Sequence, residues 1–357
     1  MNTEDTIKKY ATDKKIPCIS VGIIGKDDPK EFHYGEIKKG SSIAPTSDTI
    51  YEIGSMTKTF TAILTVKLQE EGVLSLDDPI IKFLPDFVGS DFEKNNITLY
   101  HLITHTSGIV EVPLRDYPKH ILSMIFRTGN GKVFPPRYSY ATSEFLQETS
   151  KIKLKGNPGI TTRYSNTSVG LVGKILERIT DSTYEDLIKN YICHKLGMSD
   201  TGITLLEQHK DKLATGYMYT GKEADPISIP AVMSAGSIRS NISDILKFLK
   251  TNLGLQNEHD LSPVLQYCTS SLIEPKMNPI LKRILPKPNG LKSMKIGLGW
   301  VVSDYGDDVK FVWHNGGTEG FSTAMAINPV KKTGCVVLTN KAFVDTYKFG
   351  ARLLKTI

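Results

Sequence analysis

Cysteine is scarce in this chain. Cys18, Cys193, Cys268 and Cys335 lie far apart and form no C-x-x-C pair, which sets aside a vicinal thiol site. Cys18 and Cys335 fall in strand-like apolar runs, where a thiol serves as a small buried hydrophobe. Long apolar runs are also missing: stretches such as "GCVVLT" are far too short to cross a bilayer. The N-terminus, "MNTEDTIKKYATDKK", has no basic segment followed by an apolar one. The expectation is therefore cytoplasmic residence with no membrane insertion, or export if a leader once preceded the chain. Nor is there a dominant charge. The net value of +6 is spread over 357 residues, so nucleic acid is not the expected partner. The densest basic stretch, "LKRILPKPNGLKSMK" (281–295), carries two prolines and reads as a solvated loop. No repeat or low-complexity tract is visible.

What is present is an ordinary globular composition, 39% hydrophobic and 23% charged, in a chain long enough for a large core. After a short N-terminal helix, "CISVGIIG" and "EFHYGEI" read as two strands around a polar turn. Residues 55–71 read as a helix, with Phe60, Ile63, Leu64 and Leu68 at helical spacing and Gly72 as its stop. Helical segments such as "VGLVGKILERIT" and "ISDILKFLKTNLG" then alternate with loops. Near the C-terminus, "KIGLGWVVS", "VKFVWHN", "FSTAMAINP" and "GCVVLTN" are β-rich, and "TYKFGARLLKTI" closes as a helix. Strands at both ends imply an α/β (α+β) fold: one antiparallel sheet built from the two termini and flanked by helices. The expected division is 1–75 with 286–357 as the sheet domain, and 76–285 as a mostly helical insertion.

The stretch "YEIGSMTKTF" (51–60) carries the first chemical signal. Ser55 and Lys58 are three residues apart at a helix start, so they share a face with Cβ atoms about 5–6 Å apart. A serine there has backbone N–H groups and the positive end of the helix dipole nearby, which favour developing negative charge. A lysine with its pKa lowered by burial can accept the serine proton. The plainer reading is a helix cap with a surface lysine. The same spacing recurs at Ser150–Lys153, in a charged stretch without an apolar face, where a solvated surface is the natural reading.

Two further elements join it. Tyr164-Ser165-Asn166, in "TTRYSNTSVG", is the only Tyr-x-Asn among 15 tyrosines. Its phenol suits a proton relay and its amide suits a substrate carbonyl; the alternative is a turn asparagine beside a packed tyrosine. In "VWHNGGTEGF", strand residues run into His314-Asn315-Gly316-Gly317, where glycines let a ligand approach the backbone. The N–H groups of Gly317 and Ser55 would make a two-donor oxyanion hole; the alternative is a glycine-rich strand end with a surface histidine. His33-Tyr34-Gly35 lacks the double glycine and reads as ordinary strand.

"SMTK", "YSN" and "HNG", in that order, resemble the Ser-x-x-Lys, Tyr-x-Asn and Lys-Thr-Gly elements of the serine β-lactamase and penicillin-binding protein superfamily. The likeness is to its class C-like branch of D-peptidases, D-aminopeptidases and β-lactamase-fold esterases. It extends to "ITLYHLITHTSGI", "EEGVLSLDDPIIKFLP", "AGSIRSNISDILKFL" and "GLGW", nearly the whole chain from about 15 to 340. The resemblance implies Ser55 as acylated nucleophile, Lys58 as its proton partner, Tyr164 as base or shuttle, and Asn166 as a substrate-binding amide. It leaves open which of Lys58 and Tyr164 takes the first proton. It implies acyl transfer by a serine hydrolase on an ester, D-peptide or related amide. Other outcomes are a true β-lactamase or D-Ala-D-Ala carboxypeptidase, or a catalytically idle binder of penicillins or peptides.

One departure stands out. The lysine of the third element is here His314, mostly neutral at pH 7 if unperturbed, which implies weaker carboxylate recognition and argues against an efficient β-lactamase. Glu319, two residues past Gly317, is a candidate for binding a substrate ammonium. The partner expected is a small molecule or short peptide, with no cofactor. "HLITH" places His101 and His105 four apart, but Leu102 stands where a zincin needs glutamate, so no metal is expected. The absence of G-x-S-x-G removes an α/β-hydrolase, and "GEIKKGSS" lacks the spacing of a phosphate loop.

Overall fold

A computed structural model describes residues 2–26, 29–111, 136–256, 260–270, 272–274, 290–306 and 309–357. Residues 281–289 of the basic stretch lie outside the described residues, while 293–295 fall in a strand. The strands are β1 (Cys18–Ile24), β2 (Lys30–Gly35), β3 (Tyr51–Glu52), β4 (Arg239–Ser240), β5 (Ser293–Ile296), β6 (Val301–Asp304), β7 (Lys310–Gly317), β8 (Ser322–Asn328) and β9 (Thr333–Thr339). Five helices matter for the site: α1 (Thr3–Asp13), α2 (Thr57–Glu70), α3 (Asn166–Thr180), α4 (Ile242–Asn252) and α5 (Thr346–Leu354).

Seven strands form one antiparallel sheet in the order β2-β1-β9-β8-β7-β6-β5, so the two chain ends meet where β1 pairs with β9. The fold is thus the expected mixed α/β one. Within the β-rich "KIGLGWVVS", Gly297–Trp300 separate β5 from β6, which pair with each other. Apolar side chains on both faces bury β8 and β9 along their whole length. One face is sealed by α1 and α5, whose Ile7, Ala11, Phe349 and Leu353 pack with Ile19, Val21 and Val337. The other face meets α4 and α2, where Phe60 stacks on Phe248 with ring centroids 4.4 Å apart.

Strand alternation sorts β7 between these two faces. Trp313 stacks on Tyr347 of α5 at 3.6 Å. Val312, His314 and Gly316 therefore point the other way, toward α2, and His314 is buried. Two glycines let β7 touch the turn before α2. A Cβ on Gly316 would lie 1.9 Å from the Ile53 carbonyl oxygen, and one on Gly54 would lie 2.7 Å from Gly317 N. Gly54 also holds φ of +53°, a region most side chains avoid. Thr323 of β8 completes the junction by donating to the Ile53 carbonyl at 2.9 Å.

Candidate active site

Ser55 lies in a 3-10 turn, Gly54–Met56, that runs directly into α2. The expected helix start at 55 is thus a tighter turn, with α-helix from Thr57. Lys58 is the second residue of α2 and is 1% exposed. Its Nζ contacts Ser55 Oγ at 3.0 Å, Asn166 Oδ1 at 2.8 Å and the Ala235 carbonyl at 2.6 Å. Three acceptors match the three N–H bonds of an ammonium. Burial nevertheless disfavours the charge and lowers the amine to about 7, the Glu111 carboxylate opposing that fall.

The three partners differ in what they can offer a neutral amine. Once Lys58 loses its proton it keeps two N–H bonds and one lone pair. Asn166 Oδ1 and the Ala235 carbonyl oxygen can only accept, so they hold the two N–H bonds. The lone pair is left facing Ser55, the one partner of the three that can donate. On the other side, Tyr164 Oη donates to Ser55 Oγ at 2.7 Å. The Tyr164 ring is about half exposed while its hydroxyl points inward at the serine. Desolvation holds its pKa well above the usual phenol value, against the Ser55 hydrogen bond, and Glu111 pushes the same way. A neutral phenol and a near-neutral amine thus flank one serine oxygen.

The loop carrying Tyr164 is tied down from behind. His105 Nδ1 accepts the Ser165 N–H at 3.3 Å, and its ring lies 4.7 Å from that of Tyr164. Burial, with the Lys58 charge adding to it, keeps His105 well below the usual histidine range, so the imidazole is neutral. Ser165 caps α3 by accepting the Ser168 N–H at 2.9 Å, which places Asn166 on the first turn beside Lys58. His101 plays a different part. Its Nδ1 accepts the Thr98 N–H at 3.2 Å and caps the short helix Leu99–Ile103. The two histidines of "HLITH" therefore serve separate backbones.

His314, on β7, donates from Nδ1 to the Asn315 carbonyl at 2.6 Å. Desolvation, with the Lys58 charge second, lowers it to about 3. Its imidazole is neutral at any ordinary pH, further from a fixed cation than its free pKa suggested. Gly316 is buried against Ile53, and Gly317, one residue on, is exposed beside the Ser55 turn. Glu319 lies in the turn between β7 and β8, partly buried. The strand leading into Ser55 is anchored by Glu52, which accepts from Ile227 N at 2.7 Å and pairs with Arg239 of β4 at 3.4 Å. Burial raises the Glu52 carboxyl, and Arg239 opposes the rise.

The structure thus brings Ser55, Lys58, Tyr164, Asn166 and His314 into one cluster at the edge of β7. Glu111, His105 and the Ala235 carbonyl were not singled out as site residues from the sequence. Each acts across a gap of 54 to 177 residues, which leaves no local spacing to find.

The beta-lactamase family model matches residues 3–355. A beta-lactamase of Yersinia enterocolitica is 24% identical over 97% of this chain and 88% of its own length. One of Psychrobacter immobilis is 28% identical over 96% and 84%. The D-alanyl-D-alanine-carboxypeptidase/endopeptidase AmpH of Escherichia coli is 26% identical over 88% and 77%. Among solved structures, a class C beta-lactamase superposes with a TM-score of 0.79 at 22% identity, covering 99% of this chain and 95% of its own. The octameric penicillin-binding protein homologue of Pyrococcus abyssi gives 0.80 at 27%, covering 99% and 76%. Among the described residues no helix is long and apolar enough to cross a membrane. By its family model, its relatives and its architecture, this chain belongs to the beta-lactamase family and is a serine hydrolase of the beta-lactamase and penicillin-binding protein type.

Proposed function

We propose that Ser55 is acylated by an ester, D-peptide or related amide, with Lys58 taking its proton and Tyr164 supplying one to the leaving group. The observation that carries this is the set of partners around Lys58 Nζ. Two pure acceptors leave the lone pair of the free amine only the Ser55 hydroxyl, and burial brings the amine to about 7. Lys58 is then the better first base, because Tyr164 would have to ionise from a raised pKa.

In acylation, Ser55 Oγ bonds to the substrate carbonyl carbon as its proton passes to Lys58. The carbonyl oxygen becomes an oxyanion, held by the N–H groups of Ser55 and Gly317. When the oxyanion collapses, the bond to the leaving group breaks and that group takes the Tyr164 proton, which Lys58 replaces. Water then attacks the acyl-Ser55 ester, its proton passes to the same pair, and Ser55 is regenerated. Asn166 keeps its Oδ1 on Lys58 and has its NH2 for a substrate amide carbonyl.

A neutral His314 in place of a fixed cation favours substrates that do not depend on a carboxylate, which supports esters and uncharged amides over penicillins. A second reading rests on Glu319, which follows Gly317 in the β7–β8 turn and suits a substrate ammonium, as in a D-aminopeptidase. It is discarded if Glu319→Gln leaves any preference for a free amine unchanged.

The test is intact mass of the wild type and Ser55→Ala after mixing with a penicillin, alongside p-nitrophenyl acetate release by both. Ester release by the wild type alone, without a lasting adduct, is the expected result. A persistent penicilloyl adduct on the wild type alone moves the assignment to penicillin-recognising peptidases, and penicillin consumption moves it to a beta-lactamase. Equal inertness of both proteins favours an idle binder.

A further inference from the structure

Beneath the Tyr164 turn, one carboxylate collects an unusual number of donors. Glu111 Oε1 accepts the Ser165 hydroxyl at 2.6 Å and the Thr167 N–H at 2.6 Å. Its Oε2 accepts the Thr167 hydroxyl at 2.9 Å and the Tyr138 hydroxyl at 2.7 Å. Ser165, Thr167 and Tyr138 are all buried. A carboxylate offers about four acceptor positions, and an acid proton would displace one of these donors. Ser165 and Thr167 alternate with Tyr164 and Asn166 along the turn, so the clamp grips the residues on either side of Asn166, which holds Lys58, and the residue next to Tyr164, which faces Ser55.

The same carboxylate acts on the site through its charge. The groups facing Lys58 are Ser55 on its own turn, Tyr164 and Asn166 from the α3 turn, the Ala235 carbonyl, and the buried imidazoles of His105 and His314. Both imidazoles are neutral. Glu111 raises both the Lys58 amine and the Tyr164 phenol, opposing burial at the first and adding to it at the second.

We propose that Glu111 is a positioning residue. Its carboxylate fixes the turn that aims Tyr164 at Ser55 and Asn166 at Lys58, and supplies the negative field in which Lys58 exchanges its proton. This rests on the proton path through Lys58 and Tyr164 proposed for Ser55, with Glu111 touching neither substrate nor reacting atoms.

Two variants separate geometry from charge. Glu111→Gln keeps an acceptor for Ser165 and Thr167 N–H, and its amide can donate to the two remaining hydroxyls, but the charge is gone. Glu111→Ala removes the clamp. The measurements are kcat and KM for p-nitrophenyl acetate and for an anilide across pH 5 to 9, and direct titration of Lys58 by NMR of 13Cε-labelled lysine.

In Glu111→Gln both the acid limb of kcat/KM and the Lys58 titration should move to lower pH, because the carboxylate that raises the amine is gone. In Glu111→Ala kcat on the anilide should fall roughly ten- to a hundredfold with KM little changed, and less on p-nitrophenyl acetate, whose leaving group needs no proton from Tyr164. A Lys58 titration unmoved in the glutamine variant overturns the proposal, as does an alanine variant that turns over like the wild type. If Glu111→Ala does not fold, Tyr138→Phe with Thr167→Val removes both Oε2 donors and should lower kcat instead. A wild type without ester turnover would overturn the acyl-Ser55 reading, while the Lys58 titration would still decide the role of Glu111.

Discussion

Replacing Lys58 with methionine tests whether burial really sets the pKa of the amine, because the substitution has a computable pH signature in stability. Lys58 is 1% exposed, and burial is the main cause that takes its amine from 10.5 to about 7. That drop is worth ~5 kcal/mol at low pH. The folded value lies below the unfolded one, so between pH 7 and 10.5 the unfolded chain holds a proton that the folded chain has released. Stability from this group therefore rises with pH across that window; the penalty is complete below pH 7 and gone above 10.5. Between pH 6 and pH 10 the wild type recovers about 4 kcal/mol that the methionine variant never lost.

Against this stands a cost that does not depend on pH. Methionine fills much the same volume but leaves the Ala235 carbonyl and Asn166 Oδ1 without the Lys58 donor, at about 1–3 kcal/mol each. At pH 6 the two effects are comparable, and the inactive variant should stay near wild-type stability. At pH 10 only the lost hydrogen bonds remain, and the variant should be clearly the weaker. Urea unfolding followed by tryptophan fluorescence at pH 6, 8 and 10 measures the difference, with buried Trp300 as a reporter of the core. A stability gap constant across that range would refute the assignment of the low pKa to burial.

Tyr164→Phe should cost about a hundredfold or more in kcat on an anilide, whose leaving group needs a proton, and far less on p-nitrophenyl acetate, whose leaving group does not. Equal losses on both substrates would deny Tyr164 the proton-donor role. His314→Lys places a cation where a neutral imidazole now sits; the concentration of a penicillin needed to inhibit ester release should fall roughly tenfold, with a measurable drop in melting temperature from the buried charge. Gly316→Ala should lose both folding yield and turnover, since its Cβ would meet the Ile53 carbonyl at 1.9 Å, whereas Gly317→Ala has open space and should keep wild-type stability. Circular-dichroism melts of the two alanine variants make the comparison.

Much of this site could be read from short spacings. Ser55 and Lys58 share a helical face because three residues make most of a turn, and the α2 pattern that follows requires burial, which is what lowers the amine. In the structure, the alternation of β7 puts His314 and Gly316 on one face. Elsewhere the local pattern is too coarse. "KIGLGWVVS" looks like one β segment, yet Gly297–Trp300 turn the chain so that β5 and β6 pair.

The sequence by itself determined the sheet built from both chain ends, the serine at the head of α2, and the chemical types available to it. Those rest on periodicity and on residue identity, which are local. Only the tertiary structure decided who faces whom. Asn166 holds Lys58 as well as offering an amide, the Ala235 carbonyl from a distant segment directs the lone pair at Ser55, and burial of His314 takes it to about 3. Glu111 gathers donors from two segments that no spacing relates. The physical reason is the same in each case: a hydrogen bond or a desolvation penalty depends on distance in space, and chain folding sets that distance between residues far apart in sequence.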